Sequence, residues 1–406
     1  VGDAMRVALV SEHANPLVSP GAPEAGGQNV HVAALAGGLV RLGAEVTVYT
    51  RRTGTTSPAS VRLGSGGTVE FVDAGPARHV PRDDLLPHMR AFSAGLASRW
   101  AARPPDVVHA HFWMSGVASI AAARQLTIPV VQTFHALGTV KRRFQPHLPG
   151  LGERVSAEAR LATDVAAIVA TSRAELRELS SLGARPRLSR VIPCGVDTEV
   201  FQPAGPVEVR RRPRLLTVSR LVERKGVGDA VRALAALPGA ELVVAGGESG
   251  RDPGIAVLRA LADRLGVADR VEFRGPVRHS DLATLLRSAD VFVAVPWYEP
   301  FGIAPLEAMA CGVPVVASAV GGLVETVADG RCGLLVAPRD PAALARAVVR
   351  LLDDPRLRRD LAEAGRARAV RHYRWDQIAH RTATLYQRVV SQPLAATSQS
   401  DLSAGP

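Results

Sequence analysis

The sequence predicts an α/β protein of two doubly wound parallel-sheet domains that face a cleft. Three observations carry this. Short apolar, β-branched runs alternate with helical stretches through the first half of the chain. The alternation restarts after a polar, basic, proline-flanked stretch at 203–213. The runs are also almost continuously apolar, which suits parallel strands covered by helices on both faces. Right-handed crossovers then wind each half around its sheet, and ligands of such folds bind at the carboxyl ends of the strands, between the halves.

In chain order, the first half offers strands at 7–10, 46–50, 107–110, 130–134, 168–171 and 191–193. A loop with Gly26 and Gly27 leads from the first of these into a helix at 30–42. The second half offers strands at 215–219, 242–245, 271–273, 291–295, 315–317 and 334–336. Gly246-Gly-Glu-Ser-Gly250 follows a strand, but its spacing is wrong for a dinucleotide fingerprint and no acid ends the next strand, so it reads as a turn. Residues 341–390 read as helical, and 391–406 as a small, polar tail that frays.

Composition narrows the class. The 406 residues include 49 Lys plus Arg against 38 Asp plus Glu, a net charge of +11 that calls for an anionic partner or a solvated surface. Only Lys141 and Lys225 are lysines, so 47 of the 49 basic residues are arginine and those two lysines need a reason. Hydrophobic content of 47% with mean hydropathy +0.10 describes a chain that buries a large core, not a disordered one. Aromatics at 4% are too few for a base-stacking platform, so arginine clusters at 209–214 and 356–359 read as solvated charge and no nucleic-acid partner is expected. Cys194, Cys311 and Cys332 have neither zinc nor disulfide-framework spacing, which points to a reducing cytoplasm. No charged n-region and apolar h-region open the sequence, so secretion is not expected. The uncharged stretch 308–324 is broken by Gly312, Pro314, Gly321 and Gly322, so no stable membrane insertion is expected either.

The chemistry concentrates in Glu299-Pro-Phe-Gly-Ile-Ala-Pro-Leu-Glu307. Pro305 suits the first turn of a helix and Gly312 its end, which puts Glu307 on that helix and Glu299 in the loop before it. Backbone N–H groups at Phe301, Gly302 and Ile303 then point at an anion, as helix N-termini do. Arg220 and Lys225 follow the first strand of the second half and can clamp a pyrophosphate; Lys225 argues for a compact ammonium there. Gly26 and Gly27 let backbone approach a bound group closely. His109 and His111 share one strand face, with His111 at the carboxyl end toward the cleft. The plain alternatives are solvated glutamates, exposed bases, an ordinary glycine turn and a structural histidine.

Taken together, these segments resemble the E-x7-E motif and accompanying motifs of the GT-B, family 4 retaining glycosyltransferases. Ala25-Gly-Gly-Gln-Asn29, Val108-His-Ala-His111, Thr133-Phe-His135, Ile192-Pro-Cys-Gly-Val-Asp197, Ser219-Arg-Leu-Val-Glu-Arg-Lys-Gly226 and Gly321-Gly322 through Glu325 occur in the family's order. The resemblance implies two Rossmann-like domains: an acceptor-binding one at 1–205, a nucleotide-sugar-binding one at 206–372, and a helix at 373–390 returning to the first. It implies donor binding by Gly26, Gly27, Arg220, Lys225, Glu299, Phe301, Gly302, Ile303 and Glu307. Among these, Arg220 and Lys225 neutralise the leaving diphosphate, Glu307 grips the ribose and Glu299 a sugar hydroxyl. It places His111 beside the transferred sugar and implies front-face retention, with the leaving phosphate taking the acceptor's proton, because no carboxylate nucleophile can be assigned. No Asp-x-Asp motif is evident at a strand end, so no cofactor and no divalent metal are expected.

The N-terminal half most resembles the mycothiol-pathway enzymes that glycosylate inositol phosphate, through Ser11-Glu-His13, Ala25 to Asn29, Ala74-Gly-Pro76 and Thr133 to Lys141. By that resemblance Asn29, Arg82, Phe112, His135, Ala136 and Arg154 line the acceptor site. Phe112 stands where a tyrosine is expected and Ala136 where a threonine is expected, so two phosphate-binding hydroxyls are missing. The expectation is therefore a UDP- or GDP-sugar donor and another small polar acceptor, of a secondary or small-molecule pathway. Inositol-phosphate transfer, a nucleotide-sugar 2-epimerase and a non-catalytic anion or membrane-surface binder are the alternatives, and a homodimer is possible. Lys141 receives no role from the sequence.

Overall fold

The structure is a computed structural model that describes residues 4–18, 26–56, 58–184, 188–247 and 252–392. Eight strands form the first sheet: β1 (Arg6–Val10), β2 (Glu45–Arg51), β3 (Ser60–Arg62), β4 (Thr68–Val72), β5 (Val107–His111), β6 (Val130–Thr133), β7 (Ala167–Ala170) and β8 (Leu188–Val191). Their order is β3-β4-β2-β1-β5-β6-β7-β8, parallel except for β3 on β4. The second sheet holds β9 (Arg214–Val218), β10 (Glu241–Ala245), β11 (Val271–Gly275), β12 (Val291–Ala294), β13 (Val315–Ser318) and β14 (Leu334–Val336), all parallel in the order β11-β10-β9-β12-β13-β14. Strand order reverses beside β1 in one sheet and β9 in the other, which opens a crevice at the carboxyl ends of β1, β5, β9 and β12.

The central strands are apolar because helices cover both of their faces: β5, β6, β7 and β13 are buried along their whole length. Each of the twelve expected runs forms a strand, with shifted ends. The largest shift is at β8, which ends at Val191 rather than beginning there. It is a half-exposed edge strand with a polar interior, so no apolar run marks it, and Pro193 has no N–H to extend it. The first helix covers Gly27–Arg41 rather than 30–42, starting at the glycine pair itself. β3 and β4 were not anticipated, because a Gly- and Ser-rich turn at 64–67 separates two short strands.

The last helix, Trp375–Ser391, lies against Gly27–Arg41. A Cβ at Gly38 would meet Ala379 Cβ at 2.6 Å, so the two helices need that glycine to approach. Tyr386 on the last helix meets His109 of β5 at 2.6 Å (Oη to Nδ1), and His109 Nε2 is 2.8 Å from Thr133 Oγ1. His109 is thereby a satisfied core histidine. The tail expected at 391–406 lies, from 393 on, outside the described residues. No helix among the described residues is long and apolar enough to cross a membrane.

Candidate active site

A cleft of about 930 Å³ runs between the two sheets, lined from both. Its second-sheet wall is built on four tight glycine turns. Gly226 has φ +72° and a Cβ there would stand 1.9 Å from Val295 O, so the turn Glu223–Lys225 docks onto the end of β12 only with glycine behind it. Trp297 N donates to Arg224 O at 2.8 Å and completes the dock. Lys225 Nζ then reaches Glu299 Oε2 at 2.5 Å. Gly321 and Gly322 let the next loop close over this one, since Cβ atoms there would meet Glu299 O at 2.1 Å and Pro300 O at 2.2 Å.

Helix Ile303–Ala310 begins at Gly302, whose φ of +91° and contact with Leu323 also require glycine. Phe301, Gly302 and Ile303 line the cleft at the start of this helix, which has no side-chain cap and whose first N–H groups have no intrahelical acceptor, the arrangement that binds an anion. Arg220 lines the cleft beside them. Gly246 and Gly247, at φ +116° and +83°, also form part of this wall, so the turn expected there borders the site; its residues 248–250 lie outside those described. Ala25 of the first glycine motif is outside them as well.

The two glutamates of the motif are driven in opposite directions. Burial raises the Glu299 carboxyl, but Lys225, then Arg224 and Arg220, outweigh it and hold the group below its ordinary value. Burial also lowers Lys225, against the pull of Glu299. Glu307 has no such partner: burial alone lifts its carboxyl to about 8, and it makes no side-chain hydrogen bond among the described residues. Burial thus favours the protonated form of Glu307 in the ligand-free protein, and its oxygens are left for a partner from the cleft.

On the first-sheet wall, Gly26 caps helix Gly27–Arg41, and Gly27 faces Ile303, whose Cδ1 would be 3.1 Å from an added Cβ. Asn29 lines the cleft, yet its amide is committed to the loop: Oδ1 accepts from Gly26 N and Nδ2 donates to Asn15 O. His111 is corrected in position. Its ring is fully buried, outside the cleft lining, and its Nδ1 lies 3.0 Å from Nε2 of His135, which does line the cleft. Both rings are kept neutral by burial and by neighbouring histidines. His135 and Phe112 hold φ of +60° and +80°, left-handed conformations costly for such residues, so the surrounding structure imposes their placement.

Phe112 replaces a hydroxyl ligand with an aromatic face. The guanidinium of Arg154 lies 4.9 Å from its ring centroid and that of Arg82 5.7 Å, within cation–π range. Arg154 Nε donates to the buried Glu158 at 2.7 Å, and another of its N–H groups donates to Ala136 O at 2.6 Å. Lys141 joins this wall; its ammonium is 3.6 Å from Asp83, which Arg82 also pairs at 3.2 Å. Three cations, Arg82, Lys141 and Arg154, thus stand against two carboxylates on one side of the cleft. His13 completes it, paired through Nδ1 to the buried Glu12 at 2.7 Å and edge-on to Phe112. The sequence carries His13 only within the Ser11-Glu-His13 match and gives neither it nor Lys141 a place at the site; the further signal for His13 is its position just past the end of β1. Tyr298 spans the walls, stacked on Phe144 at 5.1 Å and donating to Gln145 at 3.2 Å.

Comparisons agree with this architecture. The sequence model described as "Glycosyl transferases group 1" matches residues 202–368, and "Glycosyltransferase Family 4" matches 25–200. The chain is 40% identical to D-inositol 3-phosphate glycosyltransferase of Acidothermus cellulolyticus, over 97% of this chain and 92% of that one. It is 37% identical to the protein of that name from Mycobacterium tuberculosis H37Ra, over 96% and 84%. Among solved structures, sucrose-phosphate synthase of Thermosynechococcus elongatus superposes with TM-score 0.88 at 32% identity, over 95% and 99%. HepE of Anabaena in complex with UDP-glucose shares the fold, with TM-score 0.75 at 21% identity over 95% and 100%.

Proposed function

The chain belongs to the group 1, family 4 glycosyltransferases with the GT-B fold, and from that premise we propose that it moves a sugar, with retention, from a nucleoside-diphosphate sugar to a small anionic polyol. The observation that carries this reading is the pairing of two unlike walls across one cleft. One offers Arg220, Lys225 and the N–H groups of residues 301–303 to a diphosphate; the other offers Arg82, Lys141 and Arg154 to an acceptor's anion.

Lys225 and Arg220 neutralise charge on the leaving diphosphate as the glycosidic bond breaks, and fixed donors at the helix start do the same without reorganising. Glu299, oriented by Lys225, accepts from a sugar hydroxyl. Glu307 meets the ribose diol, giving up its proton or donating it according to pH. His135, not His111, stands at the sugar; His111 holds it from behind. The buried carboxylates of the acceptor wall are engaged, Glu12 with His13 and Ser115 and Glu158 with Arg154, which supports retention on the front face, with the leaving phosphate receiving the acceptor's proton. UDP is the donor nucleotide we favour, supported by the UDP-glucose in the HepE complex.

The relatives' names favour inositol 3-phosphate as a specific second reading. Phe112 and Ala136 argue for an anion held by charge alone. Transfer from UDP-sugars to inositol 3-phosphate, to free inositol and to other phosphorylated or carboxylated polyols tests both. Turnover with inositol 3-phosphate far above the other acceptors supports the second reading. Absence of any transfer, with donor intact, overturns the proposal.

A further inference from the structure

Behind the cleft wall, three histidines from separate elements converge: His31 on helix Gly27–Arg41, His111 at the end of β5 and His135 after β6. One nitrogen of each lies within 4.8 Å of the other two. The rings meet on all sides, His31 at 5.4 Å from His111 and 5.0 Å from His135, and His111 at 5.2 Å from His135. One of their nitrogens, His31 Nδ1, is buried with no hydrogen-bond partner among the described residues. A buried ring nitrogen without a partner is costly to keep, and catalysis as derived above does not use it. We propose that His31, His111 and His135 form a three-imidazole site for a borderline divalent transition metal, of the zinc and cobalt class, whose occupation shuts down the cleft it borders.

The donor set selects the metal. Neutral imidazoles suit zinc, cobalt, nickel and copper, whereas magnesium and calcium require oxygen ligands. Three histidines with a fourth position left open is a familiar zinc arrangement, and His135 supplies the open side because it alone of the three lines the cleft. The fit needs modest adjustment. With Zn–N distances of about 2.0–2.1 Å, ligand nitrogens in a tetrahedral site are about 3.3 Å apart. The His111–His135 pair is already at 3.0 Å, so the widest separation of 4.8 Å has to close by about 1.5 Å, through tilting of the rings. Entry also replaces the proton shared by His111 and His135. Bound metal would hold His135 away from the sugar it faces, so the site is inhibitory and separate from the transfer chemistry.

Cobalt(II) and zinc(II) are the probes. Cobalt added to the full chain is expected to give the visible bands of a tetrahedral site at one equivalent, and zinc to displace it. Magnesium should give no spectral change and no displacement. Zinc should block UDP-sugar turnover, with recovery on adding EDTA. His31→Phe, with His31→Tyr as a second variant in case the first folds poorly, should bind cobalt at least about tenfold more weakly. Its metal-free turnover should stay at the wild-type level, since His31 does not line the cleft. Cobalt binding of wild-type strength in a folded His31 variant, or no tetrahedral spectrum in the wild type, overturns the proposal. Because binding is read by absorbance, this holds whatever the acceptor proves to be.

Discussion

Replacing Lys225 by methionine removes one half of a mostly buried ion pair. Its partner Glu299 lies 2.5 Å away, with the two side chains 20% and 16% exposed. Breaking a fully buried pair costs about 3–5 kcal/mol because the surviving charge is left without compensation. The residual exposure, with Arg224 and Arg220 still near Glu299, places Lys225→Met at about 3 kcal/mol, the lower end. Glu299→Gln added to it should recover much of this, a coupling of about 1–3 kcal/mol in a double-mutant cycle by urea unfolding. Activity should not recover, because the cation that meets the diphosphate is gone; a fall of about 10²–10³ in kcat/KM is expected in both variants. Wild-type stability in Lys225→Met, or a coupling below about 0.5 kcal/mol, would refute the argument that the pair sets the geometry of the motif.

Glu307 makes stability depend on pH. Its folded carboxyl is raised from 4.5 to about 8, so the stability it contributes is full below pH 4.5 and is lost as pH rises through about 8. That difference corresponds to at most about 5 kcal/mol; Glu307→Gln should flatten the decline in Tm between pH 5 and 9, and parallel curves would contradict the assignment. Gly302→Ala forces a Cβ to 2.5 Å from Leu323 Cδ2 at a φ of +91°, so it should cost about 1–3 kcal/mol and weaken UDP binding by calorimetry. An unchanged Tm would show the loop to be slack. Phe112→Tyr with Ala136→Thr restores two hydroxyls beside Arg82 and Arg154 and should lower KM for inositol 3-phosphate by about tenfold or more. No change in KM would mean that these positions do not meet the acceptor's anion.

The repeating apolar runs determined both sheets, because strands buried on two faces leave no choice of residue type. The glycines at 226, 302, 321 and 322 were legible as motif punctuation, and the structure supplies their cause: backbone or side-chain atoms 1.9–2.5 Å from where a Cβ would stand. β3 was not legible, since a three-residue edge strand carries little hydrophobic signal; β4 was missed although Val69, Phe71 and Val72 are buried between β3 and β2. Arg220, Lys225, Glu299 and Glu307 could be picked out by type and spacing. Their charge states could not, because the sequence does not say that Glu299 has a lysine beside it and Glu307 has none. The same holds for the histidines. His111 looked like the residue at the cleft, yet only the fold places His135 in front of it and His31 beside both, since their contact depends on how a helix and two strands from distant parts of the chain come together. Sequence determines which groups are present and which elements carry them; distance, burial and partner decide what each group is chemically, and those belong to the tertiary structure.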